Sequence, residues 1–231
     1  MAILFFLDPC LRRDDTKLMK NQIVPAILVK NFSDLKLQLK RVQRLFPLVQ
    51  IDICDGKFVN NTTFKERLEI NKLQLPCSLE LHLMVRNPLL EMKKWEKVKN
   101  ISRVYIHAEA LGNNFEKISS LANKYGWQLG VALNPETKVS KISKYLDEID
   151  AVLFMTVHPG LQGQKLLMPV LKKIKTFKKP QKLLIAADGG ITLENIRAVK
   201  KAGVSEFCIG GKLIMAENIK KTLGGFKKRI K

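Results

Sequence analysis

Cysteine is scarce: four residues in 231, at positions 10, 54, 77 and 208, with no C-x-x-C spacing. That excludes a disulfide framework or a cysteine-rich zinc module, and the pattern predicts reduced, buried thiols in a cytoplasmic protein. Long apolar runs are also missing. The opening stretch MAILFFLDPC is interrupted by Asp8 and Pro9. It is too short to cross a bilayer and lacks the basic leader and small-residue cleavage site of a signal peptide. Residues 1–20 are therefore expected to be a loose extension, with residues 21–231 forming one domain. Acidic residues are few, 21 against 41 Lys+Arg, leaving a net charge of +20. The lysines are spread along the chain. The densest run, residues 171–182, keeps helical apolar spacing at Leu167, Val170, Leu171, Ile174 and Phe177. A solvated basic face explains this better than a nucleic-acid site, and such a surface steers small anions inward. Glycine is absent from PAILVKNF, the segment that follows the first apolar run. A dinucleotide-binding turn is thereby excluded.

What is present is alternation. Near-continuous apolar runs at 23–29, 48–53, 77–85, 102–108, 128–133, 151–157, 182–187 and 206–210 read as strands buried on both faces. Helical patterns lie between them at 31–46, 89–100, 113–126 and 192–203. Ser33 and Thr192 are placed as helix N-caps, Gly126 and Gly203 as C-terminal glycines. Eight strand–helix units over about 210 residues predict a single α/β domain, a (βα)8 TIM barrel. No repeat or linker divides it.

Barrels of this kind place chemistry at the C-terminal ends of their strands. Those ends carry Gln50, Asp52 and Asp55 on the second strand, and Glu80 and His82 on the third. His107 and Glu109 end the fourth strand, Asn134 the fifth and Asp188 the seventh. Period-two geometry turns Gln50 and Asp52 to one side and Ile51 and Ile53 to the other. Asp52, His82 and Asp188 can then converge, as a divalent-metal site, as a coupled acid/base site, or merely as a polar layer bonded to backbone. Glycine-rich ends at PGLQG (159–163), DGG (188–190) and Gly210–Gly211 put bare amides where a phosphate commonly binds in such barrels.

The segments VPAIL, QIDICDGKFVNNTTF, LELHLMV, IHAEA, VLFMTVHPGLQGQK and AADGGITLENI, in that order over residues 22–218, resemble ribulose-phosphate 3-epimerases. The resemblance implies a ribulose-phosphate-binding barrel of the pentose phosphate pathway that interconverts D-ribulose 5-phosphate and D-xylulose 5-phosphate. Asp52 and Asp188 match the acid/base pair acting at C3. The same aspartates and His82 match metal ligands, while Gln50 stands where a second ligating histidine is expected. A divalent cation of the zinc, iron, manganese or cobalt class is implied, held weakly or not at all because of Gln50. Substrate contacts are implied for His82, Met84, Met155, Gly160, Leu161, Gln162, Gly163, Gly189, Gly190, Gly210 and Gly211. Departures from the pattern are Ala26 for a serine, Cys54 for a methionine, Gln162 for a glycine and Gly211 for a serine. Gln162 is expected to strain its loop, because glycine backbone angles are costly for other residues. Asp55 is assigned to support the turn at Gly56. The ligand is a small ketose phosphate, and a homo-oligomer is expected. The alternatives are an epimerase of another ketose phosphate, such as an allulose 6-phosphate, and a non-catalytic sugar-phosphate-binding paralogue.

Overall fold

The computed structural model describes residues 21–231, so the expectations for residues 1–20, and for Cys10, lie outside it. Eight parallel strands close into a barrel in sequence order. They are β1 (Gln22–Ile27), β2 (Leu48–Cys54), β3 (Ser78–Met84), β4 (Ile101–His107), β5 (Gln128–Leu133), β6 (Ala151–Met155), β7 (Leu184–Asp188) and β8 (Glu206–Ile209). Their near-unbroken apolar character has the expected cause. Outward side chains such as Ile51, Ile53, Leu81 and Leu83 pack under the helices, and inward ones fill the barrel.

The outer layer holds α1 (Phe32–Val42), α2 (Pro88–Trp95), α3 (Phe115–Tyr125), α4 (Met168–Thr176), α5 (Ile196–Lys201), α6 (Gly211–Ile214) and α7 (Ile219–Ile230). After β2 and β5 the crossover is only a 3-10 turn, Arg67–Leu73 and Val139–Tyr145. Two expected caps differ. Asn31, extended at φ −134°, accepts from Asp34 N at 2.9 Å and is the N-cap of α1, while Ser33 donates its hydroxyl to Asn31. Thr192 is not a cap either: its own N–H donates to Asn195 Oδ1. At α1 an amide oxygen replaces the expected hydroxyl, as the N-cap ranking of asparagine allows, whereas Asn195 at the start of α5 makes no side-chain cap and instead ties back the preceding turn. Gly126 does end α3, left-handed at φ 70°. The run from 171 to 182 buries Val170, Leu171 and Ile174 on α4 and exposes Lys172 and Lys175.

The barrel interior holds two polar layers. The lower one is ionic: Arg103 Nη2 lies 2.9 Å from Glu80 Oε2 and 2.8 Å from Glu206 Oε2, and Tyr105 donates to Glu206 Oε1 at 3.1 Å. All four residues are buried. Buried charge is tolerated only when paired, and the guanidinium pairs both carboxylates. Tyr105 lies flat against β5, where a Cβ on Gly130 would come within 2.3 Å of its ring. Among the described residues the cysteines are buried and unpaired with one another, and no helix is long and apolar enough to cross a membrane.

Candidate active site

The upper layer is formed where β2, β3, β4 and β7 end. Register sets Gln50 beside Glu80 and, one pleat higher, Asp52 beside His82. Glu80, one pleat below His82, therefore belongs to the lower ionic layer and not to this site. Gln50 projects inward as its alternation predicts and is fully buried. Its side-chain NH2 donates to Asp52 Oδ1 at 2.9 Å and to Asp188 Oδ2 at 2.7 Å. One amide nitrogen thus holds both carboxylates. His82 Nδ1 lies 2.9 Å from Asp52 Oδ1 and 3.5 Å from Asp188 Oδ2. Asp52, His82 and Asp188 converge as the sequence led one to expect.

Electrostatics follow from this burial. Desolvation pushes the Asp52 carboxyl up to about 7, against the Gln50 hydrogen bond. Asp188 rises to about 7 as well, through burial and the neighbouring Asp52 charge. Burial pulls His82 down to about 4. Near neutrality, then, the imidazole is neutral and both carboxyls are poised to gain or lose a proton.

The donor set fits a divalent cation. One ligand atom each from Asp52, His82 and Asp188 lies within 4.8 Å of the others. Gln50 Oε1 is buried without a hydrogen-bond partner, so a half-turn of the amide would offer that oxygen in place of its donors. Two carboxylates, one imidazole and one amide oxygen form an oxygen-rich set, harder than one with two imidazoles.

Above this floor opens a cleft of about 390 Å³ lined by Asp52, His82, Met84, Met155 and Asp188. Its far wall is built from Gly160–Gly163, Gly189–Gly190 and Gly210–Gly211. Every substrate-contact residue anticipated from the sequence lines this cleft. Gly190 could be nothing else: at φ 65°, a Cβ would meet the Leu166 backbone nitrogen at 2.4 Å. The expected strain at Gln162 is absent, since the positive-φ positions of its loop are Gly160 and Gly163. The Gln162 side chain instead lies over the last turn, its Nε2 3.2 Å from where a Gly210 Cβ would stand. Lys212 also lines the wall, and no spacing argument marked it among 41 basic residues. Cys54, beside Met84 in register, is buried and does not line the cleft. Asp55 holds the β2 loop, accepting from the N–H groups of Lys57, Phe58 and Arg86 at 2.8 Å each.

A chain named ribulose-phosphate 3-epimerase from Bacillus subtilis (strain 168) is 32% identical over 210 residues, covering 87% of this chain and 96% of that one. Another of that name, from Chlamydia trachomatis, is 31% identical, covering 80% of this chain and 84% of its own. The chloroplastic ribulose-5-phosphate-3-epimerase of Arabidopsis thaliana is 32% identical, covering 89% and 75%. Among solved structures, 3-hexulose-6-phosphate synthase from Salmonella typhimurium superposes with a TM-score of 0.69 over 90% of this chain and 98% of its own. At 11% identity, that likeness concerns the fold alone. The profile described as the Ribulose-phosphate 3 epimerase family matches residues 22–214. With the barrel, the paired aspartates and these relatives in hand, the chain belongs to the ribulose-phosphate 3-epimerase family of enzymes.

Proposed function

We propose that the chain epimerises D-ribulose 5-phosphate to D-xylulose 5-phosphate at C3, with Asp52 and Asp188 as the two proton-transfer groups. The observation that carries this reading is the pair of buried carboxyls held to one Gln50 nitrogen at the floor of the cleft. A group that must both take and give a proton works best with a pKa near the operating pH, and both stand at about 7.

In this mechanism one carboxylate removes the C3 proton. The C–H electron pair forms a C2–C3 double bond, and the C2 carbonyl oxygen takes up negative charge. The other carboxyl then returns a proton to C3 from the opposite face, restoring the carbonyl with inverted configuration. A divalent cation held by Asp52, His82, Asp188 and the Gln50 amide oxygen would supply positive charge beside the oxygens that become negative. The glycine-lined wall, Lys212 and the Gln162 amide bind the phosphate and fix C3 between the carboxyls. Met84 and Met155 exclude water from the reacting end.

A second reading keeps the chemistry and changes the sugar. It is favoured by Gln162, whose amide lies against Gly210 in the far wall of the cleft and changes the groups that a bound ketose phosphate would meet there. Incubation with ribulose 5-phosphate and with a six-carbon 2-ketose 6-phosphate, each followed for its C3 epimer, separates the two. Turnover of the six-carbon ester alone would overturn the first reading.

A further inference from the structure

His107 and Glu109 touch neither the cleft nor the two aspartates by any bond described above, yet they continue the site inward. His82 Nε2 lies 2.9 Å from His107 Nε2, with ring centroids 5.0 Å apart and ring planes 24° from parallel. This is an edge-to-edge N–H···N bond, so one nitrogen donates and the other accepts. At its far end, His107 Nδ1 lies 3.4 Å from Glu109 Oε2. Asn134 Oδ1 is a second acceptor beside that ring. His107 Nδ1, Glu109 Oε2 and Asn134 Oδ1 are all buried, and none has a well-formed hydrogen bond, so the three face one another as the only candidate partners described for them. Glu109 is itself held in place. Its Oε1 accepts from the Thr137 hydroxyl and from Asn134 N. The β5 loop that provides these donors is pinned by Lys173 Nζ, which donates to the carbonyls of Asn134, Pro135 and Thr137. Phe58 covers the His107 ring, with centroids 4.7 Å apart.

With the Asn134 amide oxygen turned to the His107 ring, only one proton arrangement gives these groups a donor. If His107 carried its proton on Nε2, its Nδ1 lone pair would face two acceptors with no hydrogen among them. With the proton on Nδ1, the acceptors are served and His107 Nε2 becomes an acceptor. Neutral His82 must then carry its proton on Nε2, leaving a bare lone pair on Nδ1. We propose that Glu109, acting through His107, is a positioning residue that fixes this tautomer and presents the His82 Nδ1 lone pair to the space between Asp52 and Asp188. That space then demands positive charge: either a divalent cation, or a proton on the Asp52 carboxyl donated to Nδ1. A ligating imidazole is ordinarily held by a direct bond from its other nitrogen to an acceptor. Here a second imidazole transmits the hold. The inference builds on the two-aspartate site but makes a claim about the free protein.

The chain has three histidines, which makes the test direct. Long-range proton–nitrogen correlation spectra of the chelator-treated, nitrogen-15-labelled protein report which ring nitrogen of each carries hydrogen. His107→Phe and the loss of exposed His158 in His158→Gln assign the three rings. The expected result is hydrogen on Nε2 of His82 and on Nδ1 of His107. Glu109→Ala should shift His82 toward the Nδ1–H form, and Glu109→Gln, which keeps an acceptor oxygen, should restore it. Zinc affinity of Glu109→Ala, read by competition with a chromophoric chelator, should fall by roughly 10–100-fold. Hydrogen on His82 Nδ1, or a doubly protonated His107, in the parent protein overturns the proposal even if Glu109→Ala does not fold. An unchanged His82 tautomer in folded Glu109→Ala also overturns it. None of these readouts involves a ketose, so failure of epimerase activity would leave the inference standing.

Discussion

Replacing Asp188 by asparagine should destroy activity and stabilise the protein, but only at the pH where the carboxyl is ionised. Asp188 has a folded pKa of about 7 against an ordinary 3.8, raised by burial and by the Asp52 charge. Between these values the folded state binds a proton that the unfolded state has lost. Stability therefore falls as pH rises from about 4 to 7 and levels off above 7. Asparagine imitates the protonated carboxyl, and its oxygen can still accept from Gln50, now 2.7 Å from Asp188 Oδ2. At pH 5 the native Asp188 is already protonated in the folded state. By pH 8 it has passed through about two further pH units of the window, which at 1.36 kcal/mol each is about 3 kcal/mol. For a chain of this length that corresponds to roughly 6–12 °C in Tm, an upper bound because Asp52 readjusts when its neighbour loses charge. His107 is present in both proteins and cancels in the comparison, while His82, lowered to about 4 by burial against the Asp188 charge, falls further in the variant and so stays neutral in both proteins between pH 5 and 8. The assay is a melting curve of parent and Asp188→Asn at pH 5 and pH 8, both with chelator. The Tm advantage of the variant should widen by several degrees at pH 8. A gap that stays constant or closes would show that Asp188 is not a buried carboxyl held against ionisation.

Gln50→His should raise zinc affinity by roughly 10–100-fold, measured by chelator competition, because an imidazole would replace the amide that now faces both carboxylates; equal affinity would mean that position 50 does not serve the cation. Lys212→Ala should raise KM for the phosphorylated ketose about tenfold with kcat unchanged, the signature of a lost uniform binding contact, whereas a fall in kcat alone would remove Lys212 from the phosphate end. Arg103→Met, which leaves Glu80 and Glu206 buried beside each other without their partner, should cost about 3–5 kcal/mol in urea unfolding; a loss below 1 kcal/mol would contradict the ionic layer as drawn.

The barrel was legible because strands buried on both faces have to be apolar, and eight such runs at even spacing leave few other folds. The inward turn of Gln50 was legible for the same reason: a polar residue two positions before Asp52 in a strand shares its face. The chemistry between strands was not. Arg103 looks like any other basic residue until β4 is set beside β3 and across from β8, where it bridges Glu80 and Glu206. Glu80 stood at a strand end in the sequence, but one pleat of height separates it from His82 and puts it in a different layer. His107 and Glu109 were visible as polar residues ending β4, whereas the coupling of His107 to His82 depends on the register and tilt of two strands. Gln162 misled because a glycine position in a loop suggests a glycine conformation. The loop takes its positive φ at Gly160 and Gly163 instead, and Gln162 keeps an ordinary backbone. The short turns after β2 and β5 were obscured because the barrel needs only a crossover of sufficient length, not a full helix.

Solvent exchange at C3 tests the central claim most directly. Ribulose 5-phosphate is incubated in D2O with the parent protein, with and without added zinc or manganese, and proton NMR follows C3. Deuterium should enter at C3 as xylulose 5-phosphate appears, and Asp52→Asn and Asp188→Asn should each slow both processes by about 10²–10⁴-fold. No C3 exchange under any of these metal conditions, or exchange that survives in both variants, would contradict a two-aspartate epimerase.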